Sequence, residues 1–110
     1  GLPPRVGSRE VAGQLTRSST GAAANYRSAC RGRSRKEFVA KLGVALEEAE
    51  ETVGWLEMMR DAGLAPADAL TPLLDEARQL RAILAASCRT ARRNLRTSNQ
   101  QINKSPDQQI

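Results

Sequence analysis

The residues best equipped for chemistry in this chain are cations. The stretch "ANYRSACRGRSRKEF" (residues 24–38) places five basic side chains among the ten residues from Arg27 to Lys36. Guanidinium groups at this density suit phosphate, because the planar fork matches phosphate oxygens and each neutralised phosphate releases counterions. A second basic set, Arg89, Arg92, Arg93 and Arg96, lies far along the chain. The residue types of most enzyme sites are missing. The chain has no histidine, which removes the commonest general base and the commonest metal ligand together. Cys30 and Cys88 are its two thiols, too few for a structural zinc site or a disulfide framework. They read as small buried hydrophobes of a reduced, cytoplasmic protein, with a mutual disulfide as the alternative. No glycine-rich phosphate loop or nucleophile elbow is present. The expectation is a non-enzymatic protein without metal or cofactor.

These cations need elements to position them, and the composition favours helices. In 110 residues, enough for one domain, Ala and Leu dominate the apolar set, and Phe38, Tyr26 and Trp55 are the aromatics. No apolar run approaches a membrane span or the core of a secretory signal. After the turn-rich "GLPPRVGS", with Ser8 as N-cap, Val11, Leu15, Ser18, Ala22, Tyr26 and Ala29 mark one face of a helix over about 8–31. Gly32 stops it. Ser34 and Glu37 form a capping box for a second helix over 34–62, with a seam of Phe38, Leu42, Ala45, Ala49, Val53 and Leu56. The link "GLAPAD" is short and forces an antiparallel return. A third helix over 66–96, starting near Pro66 or at Thr71-Pro72, carries Leu70, Leu73, Ala77, Leu80, Leu84, Cys88, Ala91 and Leu95. Residues 97–110 read as a polar, disordered tail. The fold class is all-α, an antiparallel up-down bundle in one domain over residues 1–96. Its first helix is shorter than the other two and leaves apolar surface uncovered, so the chain is expected to self-associate or to pair with a further helix.

Charge is segregated along the sequence. Residues 1–41 hold nine Lys and Arg against two acids, residues 42–76 hold nine acids against Arg60, and residues 77–110 hold seven basics against Asp107. Antiparallel packing brings Arg27, Arg31, Arg33, Arg35, Lys36, Lys41, Arg89, Arg92, Arg93 and Arg96 to one pole. The helix dipole accounts for arginines near the end of the third helix, but not for Arg33, Arg35 and Lys36 at the positive start of the second. Such a cluster calls for a neutralising partner. Nucleic acid, RNA ahead of DNA, is one reading; an acid-rich neighbouring subunit is the other. Arg78, Arg81, Arg89, Arg92 and Arg96 share a stripe beside the apolar seam. No aromatic interleaves with them, which favours backbone or shape recognition over base stacking. Asn25, beside the apolar face, is expected to be buried and bonded to Glu48 in a polar cluster that fixes helix register, with Lys41 completing it.

The ordered pattern Asn25-Tyr26, Ser34-Arg35, Glu37-Phe38, Lys41-Leu42, Glu48-Ala49 and Trp55-Leu56-Glu57, followed by "ASCRTARRN" at 86–94, resembles the four-helix-bundle family encoded in intervening sequences of bacterial large-subunit ribosomal RNA genes. The resemblance spans roughly residues 8–96. It implies an up-down four-helix bundle assembled as a ring, typically a homopentamer. It also implies kinship with the accessory protein of diversity-generating retroelements, which binds a reverse transcriptase and nucleic acid. The family's long first helix would precede "LPPR", so a bundle lacking that helix is the expectation here. Two functions follow from these readings: a nucleic-acid-binding assembly, or a scaffold that docks a partner protein through its helical surface.

Overall fold

Each helix begins and ends where local chemistry requires. A computed structural model of the chain describes residues 7–103, which form α1 (Ser8–Cys30), α2 (Arg35–Asp61) and α3 (Ala67–Asn103). The Ser34 hydroxyl accepts the Glu37 amide (3.1 Å), so the capping box forms. Its return arm lands one residue early: the Glu37 carboxylate accepts from the Arg33 amide (3.3 Å) rather than from Ser34. Gly32 fits a tight place, since a Cβ there would lie 3.0 Å from the Ala29 carbonyl oxygen and 3.2 Å from the Phe38 nitrogen. Gly63 ends α2 in the left-handed region (φ 65°), with its amide on Arg60 O and that of Leu64 on Met59 O, the paired bonds of a Schellman motif.

The termini differ from the sequence reading at two points, the cap of α1 and the end of α3, while α3 begins beside Pro66 as the first of the two expected starts has it. Ser8 is the first helical residue rather than the N-cap, which is Gly7, with no side-chain cap. α3 starts at Ala67 and runs through Pro72, whose missing amide falls on an exposed face. It also continues past Arg96 to Asn103, so the first seven residues of the expected tail are helical. The rest of that tail (104–110) and the lead-in (1–6) lie outside the described residues.

α2 is the central helix. Its seam of Leu42, Ala45, Ala49, Val53 and Leu56 is buried as its periodicity predicts. α1 packs on one flank of α2 and α3 on another, while α1 and α3 make no comparable contact with each other. The core therefore divides in two. Val53 and Leu56 meet Leu70 and Leu74 near the α2–α3 turn, with Leu15, Met59 and Ala77 around them. At the other end Ala29, Leu42 and Cys88 join all three helices, flanked by Phe38, Leu46, Leu84 and Ala91. Leu74, not the expected Leu73, fills the core, and Leu73 and Leu80 are half exposed (51% and 52%). The apolar face of α3 is wide enough for two neighbours, and α2 occupies only part of it. Tyr26, expected on the α1 core face, is likewise 50% exposed. With Leu80, Ile83 and Leu84 it lines an apolar groove of about 410 Å³ that runs between α1 and α3 over Ala49 and Thr52.

Polar register between α1 and α2 comes from another pair than the expected one. Asn25 is half-buried and donates to the Gly21 carbonyl of its own helix (2.8 Å), because four residues back along a helix an oxygen is always within reach. Glu48 turns to Arg17, 3.2 Å away, which also holds Glu51 at 3.2 Å. The expected Asn25–Glu48 cluster is thus absent, and Lys41 does not complete one. Instead Thr52 Oγ1 donates to the fully buried Ser18 hydroxyl (3.0 Å), which donates to the Leu15 carbonyl (3.2 Å).

Candidate nucleic-acid interface

The Ala29–Leu42–Cys88 cluster decides where the cations stand. It fixes the last turn of α1, the second turn of α2 and the middle of α3 side by side. Arg27 and Arg31 flank Ala29. Arg33, Arg35 and Lys36 surround the start of α2, and Lys41 precedes Leu42. Arg89, Arg92, Arg93 and Arg96 follow Cys88 up α3. The cross-helix register is direct: the Cys88 thiol lies 3.5 Å from the Leu42 carbonyl oxygen, and the Arg92 guanidinium reaches over Gly43, 3.6 Å from where a Cβ would sit. The sequence-nominated cations are all exposed except Lys41, which is half-buried.

Among the described residues none of these ten side chains enters an ion pair. Arg17 pairs with Glu48 and Glu51, Arg60 with Asp61, and Arg78 with Glu57, all away from this pole. Nor does the α3 dipole explain its arginines. The helix ends at Asn103 and its last turn carries no base, so Arg96 and those before it stand beyond the one-turn range of the dipole. Of the ten, Arg27 in the last turn of α1 and Arg31 at its C-cap stand at a favoured helix end. Arg35 and Lys36 are the first two residues of α2, where the helix end is itself positive.

Cys88 is buried and unpaired with the exposed Cys30, so no disulfide forms between them. Burial pushes its thiol up from the ordinary value, the Arg92 charge opposes this, and Glu50 adds to it. An uncharged thiol in this position is a packing residue. No group of His, Cys, Asp and Glu among the described residues could hold a metal ion. No described helix is long and apolar enough to cross a membrane.

The comparisons with known proteins bear on this pole and on the helices around it. The model of the 23S rRNA-intervening sequence protein family matches residues 4–86. The chain belongs to that family. A solved relative from Bacteroides thetaiotaomicron VPI-5482, described as a protein of unknown function from the S23 ribosomal protein family, superposes with a TM-score of 0.68. It is 29% identical, and the match covers 72% of this chain and 70% of that one. No curated protein matches. The intervening-sequence match ends at Ala86, so Arg89, Arg92, Arg93 and Arg96 lie just beyond it. The arginines on α1 and α2 fall inside the part of the chain shared with the intervening-sequence family. Sequence reasoning named the pole and its want of a neutralising partner, and among the described residues no carboxylate pairs with its side chains. Glu48, Glu51, Asp61 and Glu57 turn instead to Arg17, Arg60 and Arg78, and the Glu37 carboxylate takes the Arg33 amide.

Proposed function

We propose that this chain is a non-enzymatic, cytoplasmic RNA-binding protein that grips phosphates with its basic pole. The observation that carries the reading is the set of ten cations without a carboxylate partner among the described residues, several of them set against a helix dipole. A folded chain gains nothing from such crowding, whereas a polyanion relieves it and releases counterions. The family's description, which refers to an intervening sequence in 23S rRNA, supports RNA over DNA. Contacts of this kind position a nucleic acid without reading its sequence. Assembly as a homo-oligomer, pentameric by family resemblance, would multiply the basic poles on one particle.

The test is a filter-binding titration against salt. Replacing Arg31, Arg33, Arg35 and Lys36 with Gln should weaken binding to all sequences about equally. The slope of log K against log salt should fall by about 0.7 for each lost contact to a single strand. Replacing Arg89, Arg92 and Arg96 should act in the same direction. Arg60, already engaged by Asp61 at 3.0 Å, is the control. An unaltered slope in both basic variants refutes the phosphate reading. A second reading, a scaffold that docks a partner protein such as a polymerase, is favoured by the apolar groove with Tyr26, Leu80 and Ile83 exposed along it. It predicts partner binding that changes little with salt.

A further inference from the structure

Phosphate contacts leave one feature of the basic pole unused. Where α3 overhangs the start of α2, a polar cavity of about 500 Å³ opens, within the usual range of roughly 300–1,000 Å³ for ligand clefts. Phe38 and Arg35 line one side; Asn94, Thr97, Ser98 and Gln101 line the other. Phe38 is half-buried, held by its packing against the Ala29–Leu42–Cys88 cluster. The four α3 side chains make no hydrogen bond to protein among the described residues, so their donors and acceptors are free for a ligand.

We infer that this cavity takes an unpaired nucleobase of the RNA whose phosphates the surrounding arginines hold. The inference rests on the phosphate reading and adds a preference for unpaired bases to it. An aromatic ring supplies a stacking surface for any base. Asn and Gln amides match the paired donor and acceptor of a base edge, and hydroxyls adapt to either. Arg35, at the mouth beside Phe38, can engage the attached phosphate or stack on the base. A base inside an A-form duplex cannot enter, because its pairing edge is occupied and the major groove is too deep and narrow for side chains. The occupant is therefore single-stranded RNA, a loop, or a bulge. The sequence hides this site because its halves lie more than fifty residues apart. The extension of α3 beyond Arg96 is what brings Thr97, Ser98 and Gln101 to it.

The experiment compares a fluorescent single-stranded RNA of mixed sequence with the same strand annealed to its complement, at matched phosphate concentration and several salt concentrations. Wild-type protein should prefer the single strand. Phe38→Leu keeps apolar volume against Leu42 and Cys88 but removes the ring. It should reduce that preference by about fivefold to a hundredfold, the contribution of stacking one base, with the salt slope kept. The double variant Asn94→Ala, Gln101→Ala touches no core residue and should reduce the preference in the same sense, which keeps the test sound should Phe38→Leu fold poorly. Equal affinity of wild type for both forms overturns the base pocket. So does an undiminished preference in the double variant. In either case a salt slope still lowered by the basic substitutions leaves the phosphate reading standing. Absence of binding to both forms overturns the two together.

Discussion

The pole that carries the cations hangs on very few buried atoms, and Leu42→Ala measures how firmly. Leu42 is 1% exposed and touches Ala29 of α1 and Cys88 of α3. Ala29 and Cys88 are small and sit on helix backbones that cannot advance to fill the gap, so a cavity should remain. Leucine-to-alanine changes of this kind cost about 2.7–5.0 kcal/mol, and the poor prospect of collapse places this one at about 3–5. Helix propensity does not confuse the result, because Ala is the better helix former. At about 4–8 °C per kcal/mol for a domain near this size, the midpoint should fall by more than about 12 °C. Leu80→Ala is the internal standard. Leu80 is 52% exposed on the groove side of α3, so its truncation should cost under about 1 kcal/mol. Urea unfolding followed by far-UV circular dichroism, at one fixed protein concentration, reads both values. A loss below about 1 kcal/mol in Leu42→Ala would refute the claim that this cluster positions the pole. A Leu80→Ala loss as large as that of Leu42→Ala would show that the groove is covered in solution.

Three further outcomes are expected. Ser34→Ala removes the acceptor of the Glu37 amide and should cost about 0.5–2 kcal/mol in urea unfolding, with an unchanged midpoint contradicting the cap. Burial raises the Cys88 thiol, so the folded protein keeps a proton that the unfolded chain releases above its ordinary value of 9.0. Stability from this source is complete below about pH 9 and declines as pH rises beyond it. Cys88→Ala should lose that decline, and identical pH dependence of the urea midpoint in both proteins would refute it. Replacing Arg33, Arg35 and Lys36 with Gln should stabilise the free protein by about 0.3–1 kcal/mol for each charge removed from the positive end of α2, less at high salt. A destabilised variant would mean that these side chains make contacts the fold depends on.

What could be read from the sequence follows physical rules about range. The α2 seam was legible because its apolar residues recur at helical spacing and the helix is enclosed by neighbours on that side. The Ser34 cap was legible because it is a contact across three residues. The α3 face was read one residue off, with Leu73 for Leu74, because two adjacent leucines both fit the period and only the position of α2 chooses between them. Asn25 misled for a related reason. An amide beside an apolar face needs a partner, but its own helix offered Gly21 O sooner than α2 offered Glu48. Ser18, placed among apolar positions by its spacing, turned out to be the buried hydroxyl that meets Thr52. The reach of α3 to Asn103 could not be seen in a polar segment, since such a segment has no buried face to announce it.

The division between scaffold and charge makes the functional tests interpretable. The apolar cluster that joins the three helices beneath the basic pole is Ala29, Leu42 and Cys88, with Phe38, Leu46, Leu84 and Ala91 around them. The cations stand outside this cluster, and nine of the ten are exposed. Removing them therefore subtracts charge without opening a cavity, unlike Leu42→Ala. Loss of RNA affinity in a basic variant that is as stable as wild type, or more so, then reports lost contact with the RNA, and a lowered salt slope assigns that contact to phosphate. Phe38 is the exception, because it belongs both to the cluster and to the cavity above it. That double membership is why the base pocket must be probed from the α3 side, through Asn94 and Gln101, where the change leaves the core as it was.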